Sequence, residues 1–232
     1  MPRKRRIIKK KVKEPDEFIS TSDLIIRYVR DNYKNVTRIS VAVLIIFFLS
    51  YGWFYYSREK EKDASHFFYQ TEQLYKRSKG NQADKEQYNI ALGRFEKILK
   101  EYSGTSSSVR ALFYVGDCYY HLGDYDNAID YYTKFINESR KGDYLRCFAF
   151  EGLGYCYEEK GNYEQALERF SKSMEESASI GIEGLIHLNI ARSYEALNDR
   201  DNALKFYKKV ADEQSNSIFS ELAQDKINTL KN

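Results

Sequence analysis

Hydrophobic positions divide this chain into one uninterrupted apolar run and a longer stretch of helically spaced positions. Residues 39–56 read ISVAVLIIFFLSYGWFYY, eighteen positions without a charged side chain. As a helix rising about 1.5 Å per residue, this run would extend roughly 27 Å, the thickness of a hydrocarbon core. Aromatic residues crowd its C-terminal end and charged residues follow at once, as at a membrane interface. The pattern predicts a transmembrane anchor over residues 38–57.

The residues before this run predict an orientation. Residues 20–36 alternate apolar and basic side chains at helical spacing, which predicts an amphipathic helix on the membrane surface, and residues 1–19 form a basic tail. Up to position 38, twelve Lys and Arg stand against five Asp and Glu, whereas the remainder carries a net charge of −4. Basic flanks stay on the cytoplasmic side, so the body is expected to cross the membrane.

Two other interpretations of the N-terminal region are less economical. A cleaved signal peptide would begin nearer Met1 and end in an A-x-A-like site, which is missing after the apolar run. The basic tail also fits a nucleic-acid-binding arm or a localisation signal. Attraction to anionic lipid explains it more simply beside an anchor, at about 1 kcal/mol per basic residue.

Three segments of the remaining chain share one internal spacing. Each has a large residue, which is Leu112, Phe150 or His187, then a small residue four positions later, a tyrosine, and an alanine twelve positions after the small residue. The small residues recur at intervals of 38 and 37, with a Gly or Asn turn signal inside each unit. Each unit is therefore predicted to be two helices that cross where the small residue faces the alanine. These repeat-packing positions are Gly116, Tyr119 and Ala128; Gly154, Tyr157 and Ala166; Ala191, Tyr194 and Ala203.

This spacing resembles the tetratricopeptide repeat, whose pattern is a large apolar residue, Leu-Gly, Tyr, Ala and Phe. The family's opening Trp and closing Pro are absent here, and the units exceed its 34 residues, so longer turns between units are expected. The predicted fold is all-α, a single transmembrane helix followed by an α-solenoid over residues 58–232. Its four helix pairs are expected near residues 64–102, 109–142, 147–180 and 184–216, the first interrupted near 80–82, with a capping helix at 218–231.

The resemblance also implies a binding surface, because the first helix of each tetratricopeptide pair lines the inner groove. That surface mixes aromatic side chains with carboxylates, a combination suited to an extended protein segment. For any one apolar position, packing against the neighbouring helix is an equally good interpretation. The implied groove residues are Arg110, Phe113, Asp117, Tyr120, His121, Phe148, Glu151, Tyr155, Glu158, Leu188, Arg192 and Glu195.

The sequence offers no catalytic motif. Cys118, Cys147 and Cys156 form no C-x-x-C pair and are expected to be small buried residues, although an oxidising compartment would permit one disulfide. The three histidines are isolated, and no nucleophile with its base, phosphate loop or metal-ligand spacing is found. We therefore expect no enzyme activity, catalytic residue, cofactor, metal, small-molecule substrate or nucleic-acid partner.

The order of basic tail, amphipathic helix, anchor and solenoid resembles the bacterial inner-membrane proteins related to the ancillary subunit of the SecYEG translocon (YfgM-like). This resemblance implies a single-pass protein with a cytoplasmic N-terminus and periplasmic repeats that contact translocon components, exported proteins or periplasmic chaperones. A bacterial envelope-assembly or cell-division coordinator would share every one of these features. An organellar import receptor would keep its repeats in the cytosol, which the basic flank argues against.

Overall fold

The computed structural model describes residues 17–78, 85–177, 181–213 and 218–231, which form ten helices and no strand. The predicted all-α fold is therefore confirmed. The basic tail up to residue 16, the interruption at 80–82 and residues 178–180 of the third predicted pair lie outside these ranges. The helices are α1 (Glu17–Asp31), α2 (Tyr33–Ser78), α3 (Lys85–Glu101), α4 (Ser106–Leu122), α5 (Tyr125–Glu138), α6 (Leu145–Glu159), α7 (Tyr163–Glu176), α8 (Glu183–Ala196), α9 (Arg200–Glu213) and α10 (Ile218–Lys231).

The chain divides into two compact units, Met1–Tyr56 and Ser57–Asn232. In the first unit, α1 ends at Asp31 and α2 begins at Tyr33, so two helices share the region predicted as one amphipathic helix. The apolar run lies in α2 with its side chains exposed, among them Phe48 and Trp53 at 67% and 72%. Within the described residues, α2 is the one helix long and apolar enough to cross a membrane.

Helix α2 does not end with the apolar run but continues to Ser78. The charged residues that follow the run, 58–63, include neither Gly nor Pro and are mostly Arg, Lys and Glu, which favour helix. The last part of α2 therefore supplies the first helix of the first pair, ahead of α3. The pairs α4–α5, α6–α7 and α8–α9 follow, and α10 packs on α9 and α8 at the end.

A residue in the left-handed conformation ends the first helix of each of the three later pairs. Its φ is 86° at Gly123, 74° at Gly161 and 59° at Asn198. Gly adopts this conformation without a steric penalty, and Asn is among the few other residues that tolerate it. The N–H of Gly123 donates to the carbonyls of Tyr119 and Tyr120. These carbonyls lie at the end of the helix, where backbone acceptors have no partner within the helix. The turn signals seen in the sequence thus have a defined conformation.

Buried side chains of the second unit form four clusters in order along the solenoid. The first joins α2, α3 and α4, and the second joins α4, α5 and α6. The third joins α6, α7 and α8, and the last joins α8, α9 and α10. Each pair therefore buries its apolar face against the next pair, which is how a solenoid builds a core from units that cannot fold alone.

The small residues of the repeat pattern make room for aromatic rings. A Cβ on Gly116 would lie 3.0 Å from the Tyr132 ring, and one on Gly154 would overlap the Phe170 ring. The closest neighbour is therefore the aromatic four positions after the alanine, whereas the pattern predicted the alanine itself. The alanines at 128, 166, 191 and 203 are fully buried, and the tyrosines at 119, 157 and 194 are half-buried. All three cysteines are buried, and no two of them form a disulfide bond.

Candidate functional site

A cavity of about 460 Å³ opens between the first helices of the first three pairs. This volume lies within the usual range of binding sites. Most of its wall is aromatic, and its polar groups are two carboxylates, one imidazole, one ammonium and several phenol hydroxyls. The lining residues are Tyr75 and Lys76 from α2; Phe113, Tyr114, Asp117, Tyr120 and His121 from α4; Tyr132 from α5; and Leu145, Phe148, Glu151, Gly152 and Tyr155 from α6.

Asp117 joins three helices at one side of the cavity. Its carboxylate accepts hydrogen bonds from the hydroxyl of Tyr75 on α2 and, at 3.2 Å, from that of Tyr132 on α5. The Nε2 atom of His121 lies 3.4 Å from the same carboxylate, and the imidazole stacks on the Tyr88 ring. Burial raises the pKa of Tyr132 well above its usual value, and Asp117 adds to the shift, so this hydroxyl stays a donor. Asp117 is thus held in place by neighbouring donors.

Glu151 is the second carboxylate of the cavity and is only 5% exposed. Its Oε1 atom accepts hydrogen bonds from Asn189 Nδ2 at 3.0 Å and from the Tyr155 hydroxyl at 3.3 Å. Asn189 Nδ2 also lies 2.8 Å from that hydroxyl, which links α6 to α8. Burial raises the pKa of Glu151, because a desolvated carboxylate loses hydration, although the two hydrogen bonds partly oppose this.

Aromatic rings form the walls beside these carboxylates. Tyr120 and Tyr155 face each other across α4 and α6 with ring centroids 6.3 Å apart. Phe113 packs against the Tyr132 ring at 5.7 Å, and Phe148 meets the exposed Tyr144 at 6.5 Å. Burial raises the pKa of Tyr120 to about 12, so its hydroxyl remains protonated at neutral pH. The walls therefore offer apolar faces with neutral polar edges.

The structure brings together seven of the predicted groove residues, all on α4 and α6, from Phe113 to Tyr155. Arg110 lines a separate cavity of about 370 Å³, where Arg140, Glu138 and Asp143 accompany it. Its guanidinium lies 5.2 Å from the Phe68 ring centroid and donates to the Tyr144 hydroxyl at 3.2 Å. Arg110 is therefore outside the central cavity.

The predicted groove residues near the third pair make structural contacts. Arg192 donates two hydrogen bonds of 2.6 Å to Glu158, and this pairing raises the pKa of Arg192. Glu195 accepts from Tyr207 at 2.6 Å and from Lys226 at 2.9 Å. Burial alone would raise the pKa of Glu195, but these hydrogen bonds and the charge of Lys226 lower it. Leu188 is buried in the last core cluster.

Six lining residues were absent from the predicted groove, namely Tyr75, Lys76, Tyr114, Tyr132, Leu145 and Gly152. Tyr75 lies on the first helix of the first pair, 42 residues before its partner Asp117, so extending the alignment of first helices upstream would have found it. Tyr132 lies on a second helix, four positions after Ala128, where the repeat spacing indicates a packing role and not a groove position. In the described part of the chain, no group of three or more His, Cys, Asp or Glu side chains could hold a metal ion.

Comparison with known proteins identifies the repeats. Tetratricopeptide repeat models match residues 107–179 and residues 187–217, whereas no curated protein matches the chain. Among solved structures, the TPR-like repeats of a Podosopora anserina protein assigned as a kinesin light chain superpose with a TM-score of 0.59. That match is 16% identical and covers 72% of this chain and 86% of the other.

Two further structures show the same fold in larger proteins. A signal transduction ATPase from Pyrococcus horikoshii with a tetratricopeptide repeat sensor matches with a TM-score of 0.58 and 21% identity. The match covers 74% of this chain and 28% of the ATPase. The Cut9–Hcn1 tetramer of the APC/C matches with a TM-score of 0.52 and 14% identity. The match covers 62% of this chain and 27% of the other. At these identities the likeness concerns the fold alone, and repeats of this kind indicate a protein–protein interaction scaffold.

Proposed function

We propose that this chain is a membrane-anchored, non-catalytic scaffold that binds an extended segment of another protein in the cavity between α2, α4 and α6. The observation that carries the proposal is the cavity itself, which lies on the end of α2 and on α4 and α6, the first helices of two pairs within the matched tetratricopeptide repeats. Its aromatic walls supply apolar area, and its hydroxyls and carboxylates supply hydrogen-bonding groups along the same surface. Protein–protein interfaces commonly combine aromatic anchors with a polar rim in this way.

The apolar part of α2 supports the anchor. Its side chains are exposed on every face in the structure, and a helix that is apolar all round is stable only when something apolar surrounds it. A bilayer satisfies this requirement along the whole run, because a helix already pairs its own backbone hydrogen-bonding groups. The aromatic cluster from Tyr51 to Tyr56 would then lie at the interface.

Charge supports an orientation with the N-terminus in the cytoplasm, because the basic residues precede the apolar run. In a bacterial inner membrane, this orientation would expose the repeats to the periplasm. There the groove would meet translocon components, exported proteins or periplasmic chaperones, as the YfgM-like resemblance implies. An envelope-assembly or cell-division role and an organellar import receptor are the alternatives, and they differ in the partner bound and the compartment of the repeats.

Anchoring and orientation can be tested on the full chain in bacterial membranes. We expect the protein to resist extraction by salt and alkaline carbonate and to dissolve only in detergent. In spheroplasts, a membrane-impermeant maleimide should label a Glu164→Cys variant, at an exposed position on α7. An Arg27→Cys variant on α1 should react only after lysis, and the buried native cysteines provide the background. Release by salt, or the reverse labelling pattern, would contradict the proposal.

Groove binding can be tested by placing a photoreactive phenylalanine analogue at Phe148, on the cavity wall. Tyr163, a half-buried aromatic on the second helix of the same pair, provides the matched control position. We expect Phe148 to crosslink a defined protein in native membranes and Tyr163 to give little product. Equal crosslinking at both positions, or none at Phe148, would show that the cavity is not the binding surface.

A further inference from the structure

The Glu151 side chain lines the cavity, and its carboxylate has unused hydrogen-bonding capacity. The residue is only 5% exposed. Both of its hydrogen bonds, from Asn189 and Tyr155, end on Oε1. Among the described residues, Oε2 accepts no hydrogen bond, and no Lys, Arg or His side chain forms an ion pair with Glu151. An ionised carboxylate accepts about four hydrogen bonds, so Oε2 can accept further hydrogen bonds from a ligand in the cavity.

The other charged groups of the cavity already have partners. Asp117 accepts from Tyr75 and Tyr132 and lies beside His121. The Lys76 ammonium is 3.2 Å from Glu72, which also accepts a hydrogen bond from Tyr114. The cavity therefore carries negative charge at both carboxylates, and Glu151 is the one with an oxygen that accepts no hydrogen bond from the described residues.

The aromatic wall next to Glu151 is suited to a cation. The rings of Tyr120 and Tyr155 present faces that attract positive charge through their quadrupoles. The protein already uses Tyr155 in this way, because the Arg192 guanidinium lies 5.9 Å from its ring centroid. A ligand cation at Glu151 would meet both a carboxylate and aromatic faces.

We infer that this cavity accepts the side chain of a Lys or Arg residue from the partner's extended segment, with an N–H of that side chain donating to Oε2 of Glu151. The inference rests on the proposed function and names the chemistry of the segment that the groove selects. An acidic side chain would be repelled by both carboxylates, and a neutral apolar one would leave Oε2 buried without a donor, which is costly.

The test uses the full chain in detergent micelles and fluorescein-labelled extended peptides, capped at both ends and identical except at one central position. That position is Arg, Lys, citrulline or Glu, and binding is followed by fluorescence anisotropy. Citrulline has nearly the shape of Arg without its charge. We expect the Arg and Lys peptides to bind about 10-fold or more tightly than the citrulline peptide, and the Glu peptide to bind weakest.

Variants assign the preference to Glu151. In Glu151→Gln, which keeps the size of the side chain, the Arg-to-citrulline ratio should fall to about 2-fold or less, whereas Glu151→Asp should keep part of it. Glu164→Gln, the same charge change at an exposed position on α7, should leave the ratio unchanged. Thermal melts of each variant establish that the fold is retained.

Three outcomes would overturn the inference: equal binding of the Arg and citrulline peptides, a preference that survives in Glu151→Gln, or no cationic peptide binding tighter than about 1 mM. Crosslinking from Phe148 separates this failure from failure of the proposed function. A groove that crosslinks its partner but shows no cation preference would keep the function and lose only the inference.

Discussion

Tyr132 shows what the glycines of the repeat pattern do. Its ring is 1% exposed and lies against Gly116 on α4 and Gly152 on α6, while its hydroxyl reaches Asp117. Any larger side chain at either glycine would occupy the volume of the ring. One residue from a second helix therefore fixes the separation of two first helices and also holds a carboxylate of the cavity.

The same geometry predicts a matched pair of glycine substitutions. Gly154→Ala places a methyl group into the Phe170 ring and should lower the free energy of unfolding by about 1–3 kcal/mol through overpacking. In Gly93→Ala, in the middle of α3, the added Cβ has no neighbour within 4 Å. This substitution should raise the free energy of unfolding by about 0.5–1 kcal/mol. Thermal or denaturant melts of both variants measure the difference. A destabilised Gly93→Ala, or an unchanged Gly154→Ala, would show that the repeat register is wrong.

Glu151 predicts a pH-dependent difference in stability. Because burial raises its pKa in the folded state, ionising this group costs stability. The cost is absent below the unfolded-state pKa and reaches its full value as pH rises through the folded-state pKa. Glu151→Gln removes this cost, so the variant should have a higher melting temperature than the wild type near pH 7. The difference in melting temperature should disappear towards about pH 4. A gap that is constant with pH, or one shared by Glu164→Gln, would contradict this assignment.

At the scale of elements, the start of α4 is held by two acceptors from different parts of the chain. The Thr105 hydroxyl accepts from the N–H of Ser108. The Glu61 carboxylate, from α2, accepts from the N–H of Ser106 at 2.6 Å and from the N–H and hydroxyl of Ser107. A carboxylate at this end of a helix also interacts favourably with the helix dipole. Glu61 therefore joins the first pair to the second.

This contact predicts that Glu61→Gln lowers the free energy of unfolding by about 0.5–2 kcal/mol, the usual range for losing an N-terminal cap. Glu59→Gln, two residues earlier, is the control, because Glu59 is exposed and pairs with Lys62, three residues away on the same helix. Its effect should stay within about 0.5 kcal/mol. Equal effects in urea melts of the two variants would mean that Glu61 contributes only its surface charge.

The elements themselves could largely be predicted from the spacing of apolar residues. That spacing predicted the helix pairs, and in the structure the first helices of the three later pairs end at turns that contain Gly123, Gly161 and Asn198. The sequence pattern did not predict that α2 would run without a break from the apolar run to Ser78. Helical periodicity shows where an apolar face repeats, but the charged segment at residues 58–63 has no apolar period, and its helix-favouring residues alone do not establish that two helices join.

The candidate site was harder to predict than the fold, and the reason is packing between pairs. Resemblance to tetratricopeptide repeats was enough to place Phe113, Asp117 and Glu151 on helices that line one cavity. It could not show that Arg192 would pair with Glu158, or that Leu188 would be buried under the last pair. Those outcomes depend on how neighbouring pairs rotate against each other, which spacing within a single unit does not specify.

Along the solenoid, the four core clusters form a series in which each pair contacts its neighbours. Helix α10 closes this series through Ala223 and Ile227 and through the ion pair between Lys226 and Glu195. Deleting residues 214–232 should therefore speed amide hydrogen exchange in α8 and α9 and leave α4 and α5 nearly unchanged. Uniform loss of protection along the solenoid would show instead that the pairs unfold as one cooperative unit.

Trp53 is the single tryptophan of the chain, and it lies in the apolar part of α2, 72% exposed. Ultraviolet emission excited at long wavelength therefore comes from the candidate anchor, because the cavity contains tyrosines but no indole. Transfer from detergent into vesicles carrying brominated acyl chains would quench this emission if the anchor is inserted. Peptide binding is followed through the fluorescein on the peptide. Membrane insertion and peptide binding can therefore be measured in one sample without introducing a probe into the chain.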